Sequence, residues 1–294
     1  MNNLRRSLSL LLALVMLLAL GAFASAEDNA AAEEATVTLT DEDVASLAYL
    51  NGQLRVGMEC AYAPNNWQES EASDTNVPIE NVPGAYAEGY DVQIARIIAD
   101  QLGLELVVVK MDWDGLIEAL NQGQIDAIIA GMADTESRKE AINFTSPYHE
   151  TVYALMVNAG TQYENATSLA DFNGASVLGQ KDTALDWTID QIEGVNHLTA
   201  VASVPDMIAR LQQGTCDAIV INLENAPGYL AANPNFVVIS FPEGEGLDPG
   251  FKGACVGLRK SDDALLSLAD AVLATIDQAE RDELWETALT NQPA

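Results

Sequence analysis

From Leu54 onward the apolar positions fall into two recurring patterns. Leu54–Met58 and Leu104–Lys110 are short, nearly continuous apolar runs, as a strand buried on both faces requires. Between them, Asp91–Leu102 sets Ile94, Ile97, Ile98 and Leu102 along one side of a helix, which Gly103 ends. Gln68–Glu88 is polar and carries Pro78, Pro83 and Gly84, so it reads as a surface loop. Residues 27–50 are rich in alanine and acids and read as a tail or short helix outside the core. Strand and helix patterns alternate to the end of the chain, and this predicts an α/β fold.

One segment occurs twice. Leu120, Gln122, Gly123, Asp126, Ala127 and Ile128 recur 91 residues later as Leu211, Gln213, Gly214, Asp217, Ala218 and Ile219. Each copy predicts an amphipathic helix, a glycine at its end, a three-residue turn and a buried strand. A helix–glycine–strand unit is common, but agreement at six positions argues for two α/β lobes of related build. Ligands of open parallel sheets sit beyond the carboxyl ends of the strands. The first copy delivers Ala130, Gly131, Met132 and Ala133 to that place and the second delivers Asn222, on facing walls of one cleft.

The amino terminus reads as an address. Arg5 and Arg6 precede an apolar run from Leu8 to Leu20, and Ala24-Ser25-Ala26 follows, the pattern of a signal peptide cleaved near Ala26. An uncleaved anchor is the competing reading, since the run is barely long enough to span a bilayer. Forty-four acidic residues against 13 basic ones give a formal charge of −31. Such a balance excludes the basic face that nucleic acids or anionic lipids demand, so nucleic acid is not an expected partner. Cys60, Cys216 and Cys255 are odd in number and widely spaced, and His149 and His197 are the only histidines. The composition therefore predicts buried thiols, with no disulfide framework, metal site or cofactor.

An ordered set of short motifs carries a resemblance. Leu54-Arg55-Val56-Gly57, Tyr62-Ala63-Pro64, Gly89-Tyr90-Asp91, Asp112-Trp113-Asp114-Gly115-Leu116, Asp126 to Met132, Arg138-Lys139 and Asn143 to Tyr148 follow one another. Together they resemble the extracellular solute-binding proteins of polar amino-acid ABC importers, over essentially all of residues 51–290. The resemblance implies an α/β, two-lobed periplasmic-binding-protein type II fold with two crossover strands as hinge, near Val152–Asn158 and Lys252–Leu258. It divides the chain into a signal peptide (1–26), an acidic tail (27–50), a first lobe (51–155), a second lobe (156–250) and a return to the first lobe (251–294). A carboxyl-terminal helix, Asp262–Leu289, would pack on that first lobe.

The same resemblance implies a binding site. Arg138 matches the position that clasps a ligand's α-carboxylate, for which a guanidinium fork is suited. Ala130, Gly131 and Ala133 would border it, the last two presenting backbone N–H groups. Trp113 matches an aromatic that stacks on the ligand side chain, and Tyr62 a second aromatic wall, although aromatics are commonly plain core. Glu59 matches an acidic position that, in relatives binding basic amino acids, faces the cationic end. Gln180-Lys181-Asp182-Thr183 occupies the place of a Gln-x-Gly-Thr loop, with Thr183 offering hydroxyl and N–H. Two positions depart from the pattern: Asp182 stands where glycine is usual, and Asn222 stands for an aspartate that binds the α-ammonium.

These readings predict an exported, monomeric, non-enzymatic protein, in the periplasm or outside the cell, that captures a small amino acid and delivers it to an ABC permease by hinge closure. A basic amino acid is one option for the ligand. Two rivals stay open: a dehydratase-like enzyme of the same fold, with Glu59, Asp182 or Glu224 as acid or base, and a ligand sensor serving a separate receptor.

Overall fold

The computed structural model describes residues 36–293. The expected signal peptide, its cleavage site and residues 27–35 of the expected tail lie outside the described residues. Thr40 and Asp43 cap the short helix Asp41–Ser46 reciprocally. Leu47 and Leu50 behind it are buried in the first hydrophobic core, so residues 36–50 are not outside the core as the acidic composition suggests. Two leucines at a three-residue spacing decide this, and their acidic neighbours face water.

Strand β1 (Gln53–Met58) leads into a small antiparallel sheet made of β2 (Ala61–Tyr62), β3 (Asn66–Glu69), β4 (Val77–Pro78) and β5 (Tyr86–Glu88). About a third of the stretch predicted as loop is thus sheet, in pieces too short to show any alternation. Pro78 sits on the edge strand, where its missing N–H interrupts no ladder. Helix Tyr90–Gln101 buries Val92, Ile94, Ala95, Ile98 and Ala99. There follow β6 (Glu105–Lys110), helix Leu116–Asn121, β7 (Ala127–Ile128), helix Glu136–Ala141 and β8 (Asn143–Glu150). The second half supplies β9 (Tyr153–Asn158), β10 (Ser176–Leu178), β11 (Asn196–His197), helix Val204–Gln212, β12 (Ala218–Asn222) and β13 (Phe236–Ile239), and β14 (Gly253–Leu258) returns.

Two five-stranded sheets result, ordered β6-β1-β7-β14-β8 and β11-β10-β12-β9-β13. Each has three parallel strands, then one running the opposite way, then a fifth aligned with the first three, the same plan twice. The repeated segment occupies the same place in both. Gly123 and Gly214 end its helices with φ of +73° and +66°, values that a side chain would strain. Asp126 accepts the backbone N–H of Arg55 at 3.1 Å, and Asp217 accepts that of Ser176 at 2.7 Å. Each aspartate therefore pins the third parallel strand to the first, which is why it recurs.

Each sheet has its own core. One gathers residues from Leu47 to Tyr148 and from Ala254 to Ala288, the other residues from Tyr153 to Leu247. The chain crosses between the sheets at Thr151–Val152 and again between Ile239 and Gly253. Thr151 N–H donates to Lys252 O at 3.1 Å, so the two links lie side by side. The segments expected as crossovers are strands committed to one sheet each, β9 to the second and β14 to the first, and the links precede them. The expected carboxyl-terminal helix is two helices, Asp263–Thr275 and Gln278–Asn291, broken where Asp277 caps the second through Glu280 N–H. Both pack on helix Tyr90–Gln101 of the first lobe. Cys60, Cys216 and Cys255 are buried free thiols, and burial pushes them up to about 12, 11 and 12.

Candidate ligand-binding site

The carboxyl ends of β1, β7, β10 and β12 converge on one cavity between the sheets. All ten residues singled out in the sequence line it: Glu59, Tyr62, Trp113, Ala130, Gly131, Ala133, Arg138, Gln180, Thr183 and Asn222. Its volume is about 40 Å³, where one water occupies roughly 10–15 Å³ on the same measure. An amino acid enters only if the sheets move apart.

On the first-lobe wall, Gly131 follows β7 with φ +65°, and a Cβ there would meet the Tyr62 ring at 3.1 Å. Its N–H donates to Tyr148 Oη at 3.0 Å, and Tyr148 donates in turn to the fully buried Asp91 at 2.6 Å. The other Asp91 oxygen accepts from Asn66. The expectation that this N–H points at a ligand is therefore corrected: it belongs to a chain that fixes the strand end. Asp91 and Tyr148 were visible only as motif letters.

Arg138 stands on the short helix Glu136–Ala141, capped by Thr135. Its guanidinium donates to Ala133 O at 2.9 Å and, across the cleft, to Asp182 O at 2.8 Å. It lies 5.1 Å from the centre of the Trp113 ring. Among the described residues no carboxylate approaches it within ion-pairing distance, and burial lowers its pKa to about 10. A half-buried cation held by two carbonyls retains donors for an anion.

Across the cleft, Thr183 Oγ1 donates to Gln180 O at 2.8 Å and accepts from Leu185 N–H at 3.2 Å. That hydroxyl caps the four-residue helix Ala184–Trp187, contrary to the expectation that it is offered to a ligand. Asp182 has φ +59°, a conformation that suits glycine, and its side chain is exposed beside Lys181. Its carboxylate therefore stands clear of the cavity, and its carbonyl holds Arg138.

Glu59 follows directly on β1, is buried, and accepts from Gln180 Nε2 at 3.2 Å. Burial raises it to about 7, against the opposing pull of the Gln180 hydrogen bond. It is the one carboxylate lining the cavity among the described residues. Tyr62 Oη donates to Asn222 Oδ1 at 2.7 Å, a third bond between lobes. Lys181 and Asp114 make a further one at 2.5 Å, half-exposed and weakened by solvent screening.

Sequence reasoning missed Thr151, Tyr153 and Phe251, which close the cavity on the hinge side. Tyr153 is the first residue past the crossing, and correct placement of the crossing would have found it. Trp67, beside Asn65 and Asn66, takes no part: it is buried in the small sheet and donates to Glu69 at 2.6 Å. Among the described residues no cluster of three histidine, cysteine or acidic side chains could hold a metal, and no helix is long and apolar enough to cross a membrane.

Residues 54–287 match the family model of bacterial extracellular solute-binding proteins, family 3. The chain belongs to that family. Among solved structures, the chain is similar to an amino acid ABC transporter substrate-binding protein from Streptococcus pneumoniae bound to L-arginine. The two are 25% identical with a TM-score of 0.73, over 86% of this chain and 99% of that one. Holo ArgBP from T. maritima is 27% identical with a TM-score of 0.65, over 85% and 99%. A probable histidine-binding protein of Campylobacter jejuni is 28% identical over 89% of this chain and 88% of its own length. The family 3 fold, two lobes about a cleft, is the architecture described above.

Proposed function

We propose that this protein captures a cationic amino acid between its lobes outside the cytoplasm and hands it to an ABC permease, acting as a monomer. The observation that carries the reading is the pair of charged walls in one cavity. Among the described residues, Arg138 lacks a carboxylate partner and Glu59 is buried without a cation among its hydrogen-bond partners. A ligand with a carboxylate at one end and a guanidinium, ammonium or imidazolium at the other complements both. Relatives named for arginine and histidine support this class. One acid in the cavity favours binding over acid–base turnover, which calls for a proton donor and acceptor placed together.

Closure follows from contacts that span the cleft. Ligand bound to both walls adds contacts that only the closed form offers, and its differential affinity shifts the population. The test is a thermal-shift screen of the purified protein against the twenty amino acids. L-arginine, L-lysine or L-histidine is expected to raise the melting temperature; at ligand 100-fold above Kd the gain is about 2.7 kcal/mol. A flat response to all three overturns the reading.

A further inference from the structure

The wall around Asn222 holds a charge that the cavity lining does not include. Asn222 is buried at the end of β12, with Oδ1 accepting from Tyr62 and Nδ2 directed at Glu224 Oε1, 3.4 Å away. Glu224 lies one layer behind the cavity. Its Oε2 accepts the N–H of Val152 in the hinge link at 3.3 Å. Its only ion-pair neighbour among the described residues is His149, at 3.6 Å, whose buried Nε2 has no hydrogen-bond partner. Glu150, Arg281 and Asp282 are the other charged groups lining the same outer groove. Among the described residues no lysine or arginine pairs with the Glu224 carboxylate, and its field reaches the cavity wall. The phenols of Tyr62 and Tyr153 are pushed up first by burial, and the Glu224 charge adds to the rise in both.

Resting on the amino-acid reading above, we infer that Glu224 is a positioning residue for the ligand's α-ammonium, fixing the Asn222 amide with its oxygen toward the cavity and supplying negative charge from behind it. A carboxylate only accepts hydrogen bonds, so the Asn222 NH₂ must face it and the oxygen must face the other way. An aspartate at position 222 would put two carboxylates within 3.4 Å, and the pair could not both stay ionised. With Glu224 present, asparagine is the residue that fits. The charge has moved back one layer.

The test compares L-arginine with 5-guanidinopentanoate, the same molecule without the α-amino group, by calorimetry. Wild type is expected to prefer L-arginine. Glu224→Gln should cut that preference roughly tenfold while leaving affinity for the des-amino compound in place, which a merely structural role would not do. Asn222→Asp/Glu224→Gln moves the charge forward, should restore the preference, and carries the same test should the single variant be unstable. An unchanged preference in Glu224→Gln, or no restoration in the paired variant, overturns the inference. Wild type that binds neither compound nor L-lysine nor L-histidine overturns the functional reading, and this inference with it.

Discussion

Tyr62 Oη and Asn222 Oδ1 are 2.7 Å apart, 160 positions apart in sequence, and on opposite lobes. The bond exists only when the lobes are together, so it measures closure. Tyr62→Phe leaves the Asn222 oxygen without its donor, at about 1–2 kcal/mol. The expected outcome is a five- to thirtyfold weaker affinity for L-arginine, by calorimetry, and a larger radius of gyration at equal occupancy. No change in either would show that the bond contributes nothing to closure.

Glu59 makes a pH signature. Its folded value of about 7 lies above its ordinary 4.5. Between those values the unfolded chain releases the proton while the folded chain keeps it. Stability is therefore lost as pH rises through this window, and the loss is complete above about 7. Glu59→Gln should stabilise the protein at pH 8, by about 3 kcal/mol at most, and leave it unchanged at pH 4. A cationic ligand reverses the burial penalty, so binding L-arginine near pH 6 should release a proton. Calorimetry in two buffers of different ionisation enthalpy reads this directly, and Glu59→Gln should abolish it.

Removing the Arg138 guanidinium takes away the only cation in the cavity lining among the described residues. Arg138→Ala should weaken L-arginine binding by about 2–5 kcal/mol. Arg138→Lys should recover only part of it, since an ammonium cannot form the two-pronged contact. The circular dichroism spectrum should stay that of wild type in both.

Gly131→Ala tests the strand end. Both the positive φ and the 3.1 Å approach of the Tyr62 ring oppose a Cβ there. The variant should lose at least about 1 kcal/mol of stability and displace Tyr62, weakening ligand binding as well. Urea denaturation and titration on one sample separate the two effects.

His197 lies between Asp190, 2.8 Å from Nδ1, and Asp186, 2.8 Å from Nε2. Burial alone would lower its pKa, but the two carboxylates outweigh it and the value is raised above 6.5. The stability it adds is fully present below 6.5 and is lost as pH rises through the folded value. His197→Gln should lower the melting temperature at pH 6 and leave it unchanged at pH 9. Equal melting shifts at both would remove the ionic explanation.

Much of the site was legible because strand ends are legible. The repeated helix–glycine–aspartate segment located β7 and β12, and the residues just past them had to face one another. Which partner each polar group takes was not legible. Gly131 N–H goes to Tyr148 and the Thr183 hydroxyl to a helix cap, because nearby groups outcompete a distant ligand. The small antiparallel sheet was missed because strands of two to four residues carry no period. The break at Asp277 could have been read, since an acid three residues ahead of Glu280 is a helix-start signal.

The narrowness of the cavity between the lobes has a kinetic corollary. A molecule shut inside cannot depart until the links at Thr151–Val152 and before Gly253 swing, so escape is no faster than that swing. Cargoes of unequal strength should then share one ceiling on their off-rates, and differ in how often the door stands ajar.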